Sequence, residues 1–176
     1  SLCVLAALAI PVSSFAQAST ATAAAEETST ALANVLKGPW RSEANTARDG
    51  YRHPAETLAF FGVSPGETVV EITPGGGWYA EILAPYLHDA GQYVAAVVDP
   101  AAVAEGRGRD YQQKSKSSLE AKFDASPAQY GKAKVVAYDP KAPVLGPANS
   151  ADTVLTFRNV HNWRSSGQAE GMFKGF

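Results

Sequence analysis

Short apolar runs alternate along this chain with longer segments in which apolar residues recur every three or four positions. Four runs rich in apolar and β-branched residues are predicted to be strands: residues 68–73, 92–98, 134–138 and 151–157. Segments with helical spacing, or with polar helix-permissive composition, surround them: residues 54–62, 78–87, 101–123 and 167 onward. Strands joined by helical crossovers predict an α/β fold, with a mostly parallel sheet covered by helices on both faces.

The first 18 residues have the pattern of a secretory signal peptide. Residues 2–10 form an uncharged apolar run, and residues 16–18 (AQA) match a cleavage site. The run is too short to span a bilayer as a stable helix, and a buried N-terminal helix is the alternative interpretation. Cys3 lies at the start of the run rather than after it, so we expect no lipid anchor. We therefore predict an exported protein, periplasmic or secreted, with no membrane attachment after cleavage.

The remaining chain divides into a short leading part and one larger unit. The leading part, residues 19–38, contains a predicted mobile linker over residues 19–30 and a predicted short helix over residues 31–36. Residues 39–176 are predicted to form the main domain. The helical spacing of residues 171–176 stops without a capping residue, so we interpret the chain as part of a longer protein.

Composition excludes several classes of function. The 15 basic and 17 acidic residues give a net charge of −2 with no basic cluster, which argues against a nucleic-acid binder. A single cysteine excludes a disulfide scaffold and a cysteine-rich zinc module. The histidines, His53, His88 and His161, are far apart in sequence, so we predict no metal site.

A glycine-rich turn follows the first predicted strand and carries the clearest candidate chemistry. In residues 71–77 (EITPGGG), the glycines permit a sharp turn and close approach of a ligand, and the following helix start favours an anionic group. A plain tight turn is the alternative. The spacing Gly75-x-Gly77-x-x-Ala80 also matches a loose dinucleotide fingerprint. Because Glu71 would be repelled by a pyrophosphate and can accept hydrogen bonds from an ammonium group, we favour a zwitterionic amino-acid ligand.

Acidic residues follow the second and third predicted strands. Asp99 lies 24 residues after Gly75, where a carboxylate can accept hydrogen bonds from both ribose hydroxyls. Asp139 is placed to reach an adenine amino group. Each aspartate precedes a proline, so a structural role as a turn or helix-capping residue is the alternative for both.

Polar residues and an indole follow the fourth predicted strand, in a segment that we expect to be a loop, residues 158–163 (RNVHNW). His161 is a candidate general base, and Asn159 and Asn162 are candidates for orienting a substrate. A hydrogen-bonded loop anchored by Trp163 is the alternative.

An arginine-rich segment precedes the first predicted helix. Residues 40–53 are polar and contain Arg41, Arg48, Arg52 and His53. The segment is either a lid that recognises an anionic group or a solvated polar stretch.

Residues 41–63, 68–87 and 153–163 together resemble S-adenosylmethionine-dependent methyltransferases with a Rossmann-like fold. More narrowly, they resemble a bacterial group of predicted, exported methyltransferases. The resemblance implies a three-layer sandwich that is incomplete here, with about four strands present. It also implies S-adenosylmethionine as cofactor and methyl transfer to a small-molecule acceptor by the full-length protein, and we do not expect the present chain to be active by itself. A non-catalytic exported binding domain on the same fold, and an NAD(P)-linked oxidoreductase disfavoured by Glu71, are the alternatives.

The resemblance assigns roles to individual residues. Glu71 would hold the cofactor's ammonium group, and Gly75 and Gly77 would pack against its methionine portion. Thr73 stands where the family motif has its first glycine.

The remaining assignments concern the rest of the cofactor and the acceptor. Asp99 would bind the ribose and Asp139 the adenine amine. Asn159 and His161 would face the transferred methyl group and the acceptor.

Overall fold

The computed structural model describes residues 26–176, so the predicted signal peptide, Cys3 and the first part of the linker lie outside the described residues. Four parallel strands form one sheet: β1 (Thr68–Ile72), β2 (Gln92–Val98), β3 (Lys134–Tyr138) and β4 (Thr153–Thr156). Their spatial order is β3-β2-β1-β4, and every neighbouring pair is parallel. The chain therefore proceeds outward from β1 and then returns to the other side of β1, which creates a switch point between β1 and β4.

Helices and short helical turns connect and flank the strands. In chain order the α-helices are α1 (residues 26–36), α2 (Glu43–Thr46), α3 (Asp49–Arg52), α4 (Pro54–Phe60), α5 (Ala80–Tyr86), α6 (Arg107–Ala125), α7 (Pro127–Tyr130), α8 (Val160–Ser165) and α9 (Ala169–Gly175). A 3₁₀ turn spans Pro100–Ala102. None of the helices within residues 26–176 is both long and apolar enough to cross a bilayer.

Each face of the sheet buries its own apolar cluster. Along β1, Val69 packs into one cluster, whereas Val70 and Ile72 pack into the other, as the two-residue period of a strand requires. Residues of α1, α4, α5, α6 and α7 cover the first face, and residues of α8 and α9 cover the second. The predicted α/β fold, with a parallel sheet between two helical layers, is confirmed.

Several predicted boundaries were wrong, for reasons that involve tertiary packing. The predicted linker is helical from residue 26, because Leu32 and Val35 bury the apolar side of α1 against the core. The segment predicted as a loop over residues 158–163 instead contains the start of α8, which Trp163 anchors at 6% exposure. Strand β1 ends at Ile72, one residue earlier than predicted, because the backbone of the next residue turns out of the strand.

Candidate functional site

A cleft of about 490 Å³ opens at the carboxyl ends of β1 and β4, at the switch point of the sheet. Its walls come from the segment containing α2 and α3, from the loop after β1, from α6 and from the segment after β4. The lining residues are Asn45, Arg48, Arg52, Glu71, Thr73, Pro74, Gly75, Gly76, Trp78, Tyr79, Tyr111, Phe157, Arg158, Asn159, His161 and Asn162. The sheet order, rather than proximity in sequence, brings these residues together.

The loop after β1 has three residues in the left-handed region of backbone space. The φ angles are 54° at Thr73, 59° at Gly75 and 77° at Gly77. A β-branched residue rarely adopts this conformation, and two hydrogen bonds hold it here. The Thr73 amide donates to the Ala96 carbonyl at 2.7 Å, and the Thr73 hydroxyl lies 2.9 Å from the Tyr138 hydroxyl. Thr73 therefore adopts a backbone conformation that is typical of glycine.

The two outer glycines of the loop have different roles. A β-carbon at Gly75 would meet no atom within 4 Å, so its α-carbon faces the open cleft. A β-carbon at Gly77 would lie 3.1 Å from Leu119 of α6, and Gly77 is not among the residues that line the cleft. Gly75 can allow close approach of a ligand, whereas Gly77 allows close packing of α6.

Glu71 is the buried carboxyl group of the cleft. It is 4% exposed and accepts a hydrogen bond of 2.6 Å from the Tyr93 hydroxyl. Burial raises the pKa of Glu71 to about 7, although the hydrogen bond from Tyr93 acts in the opposite direction. A cationic ligand group beside Glu71 would favour its ionised form.

Three arginines line the same cleft. The Arg52 guanidinium lies 4.8 Å from the centre of the Trp78 ring, and the Trp78 indole donates to the Asn45 carbonyl at 2.8 Å. Burial, together with the positive charges of Arg48 and Arg158, lowers the pKa of Arg52. The cleft thus combines one buried carboxyl with a group of positive charges.

The arginine-rich segment is anchored to α5 near its start, while most of its other residues are exposed to solvent. The Arg41 side chain is fully buried, and its guanidinium forms two hydrogen bonds with the Asp49 carboxylate, one of which is 2.9 Å long. Glu81 of α5 accepts hydrogen bonds from the Ser42 amide and hydroxyl, each at 3.1 Å, and pairs with Lys122. Arg41 is therefore a structural residue, and His53 lies outside the cleft.

Asp99 and Asp139 do not line the cleft, and each has a turn-forming role. Asp99 accepts a hydrogen bond of 2.9 Å from the Ala101 amide, which caps the 3₁₀ turn. Asp139 accepts one of 2.8 Å from the Lys141 amide. Both contacts match the structural alternative given by the sequence, and the ribose and adenine roles remain predictions.

The residues after β4 divide into a structural and an accessible group. The Asn159 amide donates to the Ile72 carbonyl at 3.1 Å and to the Thr156 hydroxyl at 3.0 Å, which ties β1 to β4. His161 and Asn162 are exposed and line the cleft. Since the side-chain amide nitrogen of Asn159 is engaged in these structural hydrogen bonds, His161 is the stronger candidate for a catalytic role.

Sequence reasoning missed several lining residues. Asn45, Tyr111 and Phe157 lie in the cleft, but the sequence assigned no functional role to any of them. Tyr111 is 62% exposed on α6. The signal available from the sequence was an aromatic residue within the polar segment 101–123.

Among the described residues, no group of three histidine, cysteine, aspartate or glutamate side chains is arranged to hold a metal ion. No model of a protein family, no curated protein and no solved structure matches this chain. The cleft itself therefore carries the evidence for function.

Proposed function

We propose that this protein binds S-adenosylmethionine in the cleft between β1 and β4 and transfers its methyl group to a small-molecule acceptor. The observation that supports the proposal most is the buried carboxyl of Glu71 beside the open glycine turn at Gly75. Because residues 1–18 have the pattern of a secretory signal peptide, we also propose that the protein acts outside the cytoplasm.

The position beside Glu71 fits the ammonium group of an amino-acid ligand better than a pyrophosphate. An α-ammonium group beside Glu71 would compensate the charge that burial disfavours, whereas a phosphate would be repelled. Gly75 leaves room for a ligand to approach the backbone, and the cleft volume of about 490 Å³ is in the range of small-molecule sites.

The residues of this chain would act mainly by positioning. When bound, S-adenosylmethionine supplies a methyl group that is already activated by its sulfonium. Holding a nucleophile in line with that group can supply up to ~7–11 kcal/mol of the barrier. His161, on the wall next to β4, would remove a proton from a hydroxyl or amine of the acceptor.

The direct test is calorimetric titration of the protein with S-adenosylhomocysteine, with NADH titrated in parallel. We expect a dissociation constant of roughly micromolar for S-adenosylhomocysteine, equivalent to about −8 kcal/mol, and no saturable binding of NADH. Binding of NADH alone would support the oxidoreductase alternative, and binding of neither would overturn the proposal.

Replacing Gly75 by alanine should separate binding from stability. The new β-carbon would project into the cleft, and we expect affinity for S-adenosylhomocysteine to fall by about tenfold or more. The positive φ of 59° should cost about 1–2 kcal/mol of stability.

Gly62 provides a matched control for that substitution. Its φ is 72°, a β-carbon there would also meet nothing within 4 Å, and it does not line the cleft. Gly62→Ala should lose similar stability and keep its affinity. Equal affinities in both variants would show that the glycine turn does not contact the ligand.

Replacing Asp99 by asparagine tests the proposed ribose contact. Asparagine can still accept the hydrogen bond from the Ala101 amide, so thermal stability should change little. It offers one acceptor oxygen in place of two, and we expect affinity for S-adenosylhomocysteine to fall by about tenfold. Unchanged affinity in calorimetry would restrict Asp99 to its capping role.

A further inference from the structure

Three arginines from two parts of the chain converge on one cleft. Arg48 and Arg52 belong to the arginine-rich segment, residues 40–53, and Arg158 lies two residues after the end of β4. None of the ion pairs between described residues includes any of the three. Of the described lining residues, Glu71 alone carries a carboxylate, and it is hydrogen-bonded to Tyr93. The positive charges are therefore not neutralised by a neighbouring acid.

At least one of these arginines is held in place before any ligand arrives. The Arg52 guanidinium lies over the Trp78 ring, and the Trp78 indole is itself fixed by its hydrogen bond to Asn45. Restricting a guanidinium in this way lowers the entropic cost of the hydrogen bonds that it forms with a ligand.

Like charges that converge without a partner favour an anion that binds between them. We propose that the methyl acceptor is a small anion whose carboxylate or phosphate group is bound by Arg48, Arg52 and Arg158. This inference rests on the proposed methyl transfer. A guanidinium binds either oxyanion through paired hydrogen bonds, so the shared chemistry is that of a planar or tetrahedral oxyanion.

The location of Arg158 connects the anion to the acceptor. Arg158 lies three residues before His161, and both line the wall of the cleft next to β4. Glu71, which we assign to the ammonium group of the cofactor, belongs to β1. An oxyanion on Arg158 would thus hold the acceptor beside the residue that we propose takes its proton.

Two anions serve as probes, inorganic phosphate and benzoate, each titrated with and without saturating S-adenosylhomocysteine. The indole signals of the three tryptophans report binding by nuclear magnetic resonance, and substitution of each tryptophan by phenylalanine assigns them. We expect one or both anions to shift the Trp78 signal saturably, because Arg52 lies over that ring. We expect a similar shift when S-adenosylhomocysteine is bound.

Arginine variants localise the effect. Arg52→Gln and Arg158→Gln should each weaken anion binding by about tenfold, while affinity for S-adenosylhomocysteine changes by less than about threefold. Arg164 is exposed on α8 and does not line the cleft, so Arg164→Gln is the matched control and should leave both affinities unchanged.

The outcomes separate this inference from the proposed function. No saturable anion binding, or equal binding by Arg52→Gln and Arg164→Gln, overturns the inference. Competition between the anion and S-adenosylhomocysteine also overturns it, because the arginines would then hold the carboxylate of the cofactor, and the proposed function would stand. Anion binding by a protein that does not bind S-adenosylhomocysteine would overturn the proposed function and leave only the anion subsite.

Discussion

Replacing Glu71 by glutamine is expected to stabilise the protein at alkaline pH and to weaken its binding of S-adenosylhomocysteine at the same time. Glu71 is 4% exposed, and its burial disfavours the ionised form. Glutamine has no charge to bury and can keep the hydrogen bond from Tyr93. It cannot form an ion pair with an ammonium group, so affinity should fall by about tenfold or more.

The pH dependence follows from the direction of the pKa shift. The pKa of Glu71 rises from 4.5 to about 7 in the folded protein, so the folded state retains a proton that the unfolded state has lost. Stability should therefore fall as pH rises from the unfolded pKa to the folded one. Above the pKa of the folded protein, the shift corresponds to a decrease in the free energy of unfolding on the order of 3 kcal/mol, which the glutamine variant avoids.

Urea denaturation at about pH 4, pH 6 and pH 8.5 measures this difference. The variant and the natural protein should have similar stability at the lowest pH and diverge as pH rises. Glu105 is exposed, and Glu105→Gln serves as the control with no such divergence. Parallel stability curves for Glu71→Gln and the natural protein would contradict the burial of an ionisable carboxyl in the cleft.

Replacing Glu81 by alanine is expected to cause the largest loss of stability, about 3 kcal/mol or more. Glu81 is 1% exposed, and it receives hydrogen bonds from Ser42 and a charge-assisted one from Lys122. Burial acts to raise the pKa of Glu81, but hydrogen bonds from Lys122 and its other neighbours outweigh burial and lower the pKa. Without the carboxylate, a buried cavity and unpaired donors remain.

Glu120 provides the control for that substitution. It forms an i,i+4 pair with Lys116 at 3.5 Å on the surface of α6, so Glu120→Ala should cost less than about 1 kcal/mol. Because Ser42 lies in the same segment as Arg48 and Arg52, Glu81→Ala should also weaken the phosphate binding that we propose for the cleft. Chemical denaturation with similar losses in both variants would show that Glu81 is not a structural anchor.

The secondary structure of this protein was largely accessible from its sequence. Strands β2 and β3 begin and end where the apolar runs predict. Strand β2 is a buried parallel strand, which typically consists of a continuous apolar run bounded by turn residues. Both strands are followed by aspartate and proline, which mark a turn. The glycine turn after β1 was also predictable, since few other residues tolerate its positive φ angles.

Errors in prediction arose where burial altered a local preference. Residues 158–163 are polar enough to predict a loop, yet burial of Trp163 stabilises a helix there. Glu81 is a charged residue in a helix, with no sequence signal that it is buried. Its environment depends on Lys122 and Ser42, which are distant in sequence and are brought together by packing.

The sequence by itself determined the α/β class, the extent of β2 and β3 and the glycine turn beside Glu71. Apolar periodicity and turn residues are local properties, and they report directly on backbone conformation. Only the tertiary structure decided the strand order, the shared cleft, the raised pKa of Glu71 and the convergence of three arginines. Desolvation and charge interactions depend on distances between residues far apart in the chain, and those distances exist only after folding.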